Sequence, residues 1–373
     1  MAQQLLNTSW SLHRLTPLHH GNESRDLIHN PAALKTYADR LRDHLTGGLI
    51  GGYPIADAHD SGLSKTGLLK RCSWERLSGW SHSTFRQNPE DGNDYTMGIL
   101  VVLEYEFMTY KAALLARPVH KEGEGEGPVG RRGGRPRRGA VDEAARSRKQ
   151  QSTHLPLLLT RLPNALRQSF ISFLSASFDT YCTPLHLPSD FLCSGLETYL
   201  RAVVAHPLST SGTFDSVELL ENAIKEIHLT LAFSPSVAPA LGLLNISIPR
   251  ENLIRFISLE ESDRSEDPTD RVMRGSLLKG LNTYLEKHLA MKVDLMVDSA
   301  SHSLAKRHVR LAKIACGTFV LGAEGRLKLV LVRPDAAARN EAGRGRKDSD
   351  RPILKASEDL LHAVISKAII GGQ

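Results

Sequence analysis

Between Glu226 and Phe233 the chain alternates: Ile227, Leu229, Leu231 and Phe233 are apolar, while Glu226, His228, Thr230 and Ala232 between them are polar or small. Successive side chains of a strand point to opposite faces, so a period of two makes one face wet and buries the other. Leu244, Ile246 and Ile248 repeat the pattern up to Pro249. A Gly322-Ala323-Glu324-Gly325 turn then leads into Arg326–Arg333, where Leu327, Leu329 and Leu331 alternate with Arg326, Lys328 and Val330. Strands of one-sided alternation that arrive in pairs argue for antiparallel sheets.

Something must cover the dry faces, and the chain supplies amphipathic helices. Asn30 caps the first, Pro31 takes its first position, and Leu34, Tyr37, Ala38, Leu41 and Leu45 share one side before Gly47 and Gly48. Further helices are predicted over 163–178 (Leu166, Phe170, Phe173, Leu174, Phe178), 189–204 (Leu192, Leu196, Tyr199, Leu200, Val203) and 275–289. The last is predicted to start at Ser357. Strands are expected around Trp10, Leu12 and Arg14, and over 292–298 and 309–321, the last with Cys316 inside it. Ile99 to Ala116 reads as one long strand or as a hairpin broken at Met108–Thr109. Residues 51–95 read as loops with short strands, with Trp74 and Trp80 as isolated anchors. The fold class is α+β, with antiparallel sheets backed by amphipathic helices.

The 373 residues are 41% hydrophobic and 24% charged, enough to bury a substantial core. No window reaches the ~20 apolar residues a membrane helix needs, and Met1–Trp10 has no secretory pattern. The net charge of +6 is local. Residues 121–150 carry nine basic and five acidic side chains, net +4, and residues 337–351 carry five and three, net +2, so the remainder balances. Residues 120–152 hold seven Gly, two Pro and no Phe, Trp or Tyr, too little apolar surface to offset chain entropy. They are expected to form a disordered Gly/Arg-rich linker between an N-terminal α+β region (1–119) and a C-terminal α+β domain (153–373) with a flexible loop at 335–350. Within the linker, Arg131, Arg132, Arg135, Arg137 and Arg138 suit either phosphate contact or an import receptor.

Catalytic patterns are missing. Gly125-Glu126-Gly127-Pro128-Val129-Gly130 matches a dinucleotide-binding spacing, but Pro128 and the following glycines would not open a helix, and nearby glutamates would repel a pyrophosphate. Gly62–Gly67 has the wrong order for a phosphate loop, and neither GxSxG nor HExxH occurs. His13, His19, His20 and the Asp57-Ala58-His59-Asp60 cluster read as polar surface. His302 and His308 read as a solvated basic edge. Cys72, Cys182, Cys193 and Cys316 lie far apart without zinc-ligand spacing and read as buried free thiols in a reducing compartment. No catalytic, cofactor-binding or metal-ligating residues are assigned, and the chain reads as a non-enzyme.

Three stretches carry a resemblance. The opening Leu6-Asn7-Thr8-Ser9-Trp10-Ser11-Leu12-His13-Arg14-Leu15-Thr16-Pro17-Leu18-His19-His20 resembles the start of fungal CENP-L family inner-kinetochore subunits. So do Leu155–Pro163 with Phe170–Leu174 and Phe178–Thr180 behind it, and the strand pair Cys316–Gly322 and Glu324–Leu329. The resemblance implies an α+β protein with extended, curved sheets, no enzymatic activity and no cofactor. It implies a nuclear scaffold of the constitutive centromere-associated network, located at the centromere and kinetochore and needed for chromosome segregation. It further implies a heterodimer with a CENP-N-type subunit that contacts centromeric chromatin, docks CENP-C and other subunits, and has no membrane partner. The competing reading is a stand-alone nuclear DNA-binding protein that uses its flexible Arg-rich segments.

One strand stands out as a partner surface. Leu329, Val330, Leu331 and Val332 put apolar side chains on both faces, and the flexible stretch after them offers no further strand. An open edge there is expected to be covered by the CENP-N-type partner, by a second copy in its absence, or by the helix over 357–370.

Overall fold

The computed structural model describes residues 2–21, 27–47, 49–50, 53–54, 66–79, 96–117, 152–204, 226–236, 240–249, 251–252, 276–289, 308–331 and 346–370. Outside them lie all but the last residue of the expected linker at 120–152, the 292–298 strand, Trp80, the 57–60 cluster, His302, Val332 and most of the 335–350 loop. The chain forms two compact units. The first comprises Met1–Ala2, Leu12–Pro184 and Ile365–Gln373, the second Gln3–Ser11 and Leu185–Val364. Residues 153–184, just beyond the expected linker, belong to the first unit.

Along the first unit run β1 (Ser9–Leu15, its second half), β2 (Leu18–His19), α1 (Pro31–Gly47), β3 (Leu49–Ile50), β4 (Tyr53–Pro54), β5 (Leu69–Ser78), β6 (Thr96–Tyr105) and β7 (Thr109–Leu115). β8 (Ser152–Thr153), β9 (Leu157–Arg161), α2 (Asn164–Phe178) and β10 (Cys182–Pro184) follow. β9, β7, β6 and β5 pair antiparallel in that order, and β10 pairs antiparallel with the end of β1. Trp74, Val101, Ala112 and Thr160 stand side by side across the four strands, all buried. The next row, Glu75, Leu100, Ala113 and Leu159, points the other way, and its last three members are buried too. Burial on both faces accounts for the unbroken apolar runs at 99–103 and 157–159.

Helix α1 begins as the sequence dictates. The Asn30 Oδ1 accepts from the backbone N–H groups of Ala32 and Ala33, each at 3.1 Å, and Ala33, Leu34, Tyr37, Ala38 and Leu41 form its buried side. Tyr37 meets Phe178 of α2 at 4.5 Å between ring centroids and Trp74 of β5 at 6.0 Å. Trp74 is therefore no loop anchor. Residues 69–78 are a ten-residue strand, disguised because Lys70, Arg71, Ser73, Glu75 and Arg76 break up the apolar period. Ile99–Ala116 resolves into the β6–β7 hairpin.

The second unit contains the first half of β1, α3 (Ser189–Val204), β11 (Glu226–Phe233), β12 (Leu243–Pro249), α4 (Ser276–Leu289), β13 (Val309–Ala315), β14 (Phe319–Gly322), β15 (Arg326–Leu329) and most of α5 (Arg346–Ile370). Its strands run in the order β12-β11-β13-β14-β15-β1, antiparallel throughout. One row crosses all six: Trp10, Leu327, Leu321, Ile314, Leu229 and Ile246, every one buried. Each such side chain contributes roughly 1.5–3 kcal/mol on leaving water. Tyr199 of α3 packs on Phe319 at 4.7 Å between centroids, and Gly195 leaves room for Leu321 and Leu360 of α5. The architecture is the expected α+β fold with antiparallel sheets.

Three expectations need correction here. The 309–321 stretch is two strands, and Cys316 sits in the turn between them, its Sγ 3.4 Å from the Thr318 Oγ1. The register of β11 against β13 slips after Thr230, where β13 carries one extra residue; Ala232 is buried and Phe233 is half-exposed. Helix α5 starts at Arg346 and not at Ser357: the charged run ahead of Pro352 hides its first turns from a periodicity argument.

Candidate interaction surface

On either side of that core row the second unit shows a polar face. Ser9, Lys328, Val320, Ala315, His228 and Ser247 form one row across the six strands, and Ser11, Arg326, Gly322, Lys313, Thr230 and Asn245 form another. Apart from Gly322, all of them are half- or fully exposed. The Arg326 guanidinium donates to the Ser11 Oγ at 2.7 Å, and the Thr230 hydroxyl donates to the Asn245 Oδ1 at 2.8 Å. Arg310, Lys313, Arg326 and Lys328 give this face a cationic centre. Its acids are peripheral: Glu324 lies 3.5 Å from His186 and 4.0 Å from Arg310, and Glu226 lies 3.3 Å from His228. The Ser247 hydroxyl also donates to Glu226.

The edge expected to be open is closed. β15 stops at Leu329 and has β14 on one side and β1 on the other, with Ser9, Trp10 and Ser11 opposite Lys328, Leu327 and Arg326. The Asn7 N–H donates to the Leu329 carbonyl at 2.7 Å, and its Oδ1 accepts from the Leu331 N–H at 3.2 Å. Leu329 is buried, while Val330 and Leu331 are half-buried beyond the strand. Neither a partner strand nor α5 occupies that edge. The chain's own first strand does, from more than 300 residues away. Sequence spacing carries no signal for such a pairing. Arg131, Arg132, Arg135, Arg137 and Arg138 lie outside the described residues, as does Val332.

Among the described residues of the second unit, an edge without a paired strand lies at the other end of this strand order. β12 pairs with β11 on one side, and among the described residues no strand pairs with its other side. Its inner side chains, Ile246 and Ile248, are buried. Leu243 on the outer face is 61% exposed, and Leu241 just before the strand is 41% exposed. One sequence signal marked β12 as an edge: it ends on Pro249, a residue sheets tolerate at edges because it cannot donate to a neighbouring strand.

The residues weighed for chemistry disperse. His13 and His20 are buried, and the His20 Nε2 lies 2.9 Å from the Thr153 Oγ1, whereas His19 is exposed and His308 half-buried. Among the described residues no three His, Cys, Asp or Glu side chains converge as metal ligands, and no helix is long and apolar enough to cross a membrane. All four cysteines are free thiols. Burial pushes Cys72, Cys182 and Cys193 up to about 12, the opposite of what a nucleophile needs.

No curated protein matches the chain. The family model for centromere protein L matches residues 4–369, from just before the strand that closes β15 to the last turn of α5, and the chain belongs to that family.

Proposed function

We propose that this protein is a scaffold subunit of the inner kinetochore that pairs with a CENP-N-type subunit and helps link centromeric chromatin to the kinetochore, and that β12 is the edge at which the partner adds. The family is a structural kinetochore family of the centromere, concerned with chromosome segregation. The observation that carries the reading is the β12 edge, with Leu241 and Leu243 exposed beside a buried Ile246–Ile248 face. Unpaired edges of this kind aggregate unless another chain completes them, and β-strand addition is the direct way to complete one. The heterodimer then offers a platform in the nucleus to CENP-C and other subunits, and a second copy takes the edge when the partner is absent. Co-purification of the full chain with a CENP-N-type subunit tests this. Leu241→Asp together with Leu243→Lys should abolish capture while leaving the melting transition in place. Capture by the folded double variant at the parent level would move the partner surface elsewhere.

A direct contact with centromeric DNA is favoured by the polar face, where Lys313 on β13 and Arg326 and Lys328 on β15 flank β14. Each phosphate neutralised steepens the dependence of log K on log salt by about 0.9. Replacing these three residues by Gln should lower the slope by roughly 2–3. If only Gln at Arg131, Arg132, Arg135, Arg137 and Arg138 flattens it, the contact belongs to that segment and the stand-alone DNA-binding reading gains.

A further inference from the structure

We propose that the strand added to β12 runs antiparallel to it and carries a lysine or arginine opposite Ser247 that reaches Glu226; this rests on the β12 reading above. The outer face of the β11–β12 pair is chemically uneven along its length. At one end Glu226 leans toward β12, where its carboxylate takes the Ser247 hydroxyl and lies 3.3 Å from the exposed His228. In the middle the Thr230–Asn245 pair satisfies itself. At the other end Leu243 stands exposed opposite the small Ala232.

An incoming strand lies ~4.8 Å beyond β12 and therefore about twice that from β11. A side chain opposite Ser247 meets only a small hydroxyl, and a four-carbon or guanidinium side chain can cross above it to the Glu226 carboxylate. A short residue there would leave Glu226 with only Ser247 and His228, and an acidic one would repel it. On the inner face the new strand continues the Ile246 and Ile248 surface, so its alternate residues must be apolar. Every pairing in this sheet is antiparallel, and the same direction gives the partner a definite pattern from its N-terminus to its C-terminus. Lys or Arg opposes Ser247, then an apolar residue opposes Ile246, a polar one Asn245, an apolar one Leu244 and an apolar one Leu243. The kind of partner is thus a segment reading basic–apolar–polar–apolar–apolar.

The test uses the full chain and a CENP-N-type subunit in an equilibrium pull-down at low and high salt. Glu226→Gln should weaken capture at low salt about three- to tenfold and remove most of its salt dependence, and Glu226→Lys should weaken it further. Ser247→Ala removes the hydroxyl but keeps the carboxylate and should bind as the parent does, which separates the charge from the lost hydrogen bond. Melting curves for the three variants check the fold. If Glu226→Gln and Glu226→Lys are folded and bind like the parent while Leu243→Lys abolishes capture, the edge reading stands and the cation is refuted. If Leu243→Lys also binds normally, the edge reading itself has failed.

Discussion

Trp10 ties the N-terminal strand into the sheet of the second unit, and removing it should cost more than any other single change there. Its side chain is 1% exposed and opens the six-residue core row, and its indole N–H donates to the Leu5 carbonyl at 2.9 Å. A buried indole removes about 200 Å² from water. At ~25 cal/mol per Å² that is about 5 kcal/mol of transfer free energy, part of which alanine retains, while the cavity left behind adds to the loss. Trp10→Ala should therefore destabilise the second unit by about 4 kcal/mol. Trp10→Phe keeps most of the apolar contact but strands a buried carbonyl, at a cost of about 2 kcal/mol. Urea titration followed by tryptophan-independent circular dichroism measures both. Amide hydrogen exchange at 326–329 reports whether β15 has lost its neighbour. Losses below ~1 kcal/mol for both variants with unchanged exchange would mean that β1 is not an integral strand, and the argument that it closes β15 would fall.

Gly98→Ala should be severely destabilising, by about 3 kcal/mol or more, because φ is +155° and a Cβ would stand 1.9 Å from the Leu114 carbonyl oxygen, a backbone atom that cannot step aside; thermal melts check it. Cys193 should resist alkylation at pH 8 by about a thousandfold relative to the urea-unfolded chain, since burial raises it from 9.0 to about 12; labelling followed by mass spectrometry reads the difference. The same shift means that the folded state keeps a proton the unfolded chain releases. Its contribution to stability is full below about pH 9 and is lost as pH rises toward 12, as melts across that range would show. Deleting residues 121–150 should change Tm by less than about 3 °C, because the segment holds no aromatic anchor; a large loss of cooperativity would make it part of the core.

Much of the fold is local information. Asn30 and Pro31 start α1 because a cap needs a side-chain acceptor and a fixed φ at adjacent positions, and both needs are met within three residues. Helices α2 and α3 and strands β11 and β12 follow from periods of 3.6 and 2 that depend only on which residues must leave water. Where charge interrupts the period, as in β5 and at the start of α5, the same reasoning loses the element. What no period encodes is which edges stay open. The sequence identifies β15 as an apolar strand, yet its neighbour is β1, because pairing between Ser9–Ser11 and Arg326–Lys328 is set by the shared core row of Trp10 and Leu327 and not by any spacing along the chain. By itself the sequence determined an α+β chain, the segments that form its sheets, and the resemblance to the centromere protein L family. Only tertiary structure decided that β15 is enclosed while β12, among the described residues, has one side without a paired strand, and that Lys313, Arg326 and Lys328 share one face, since strand order is a property of long-range contacts whose closure entropy leaves no local trace.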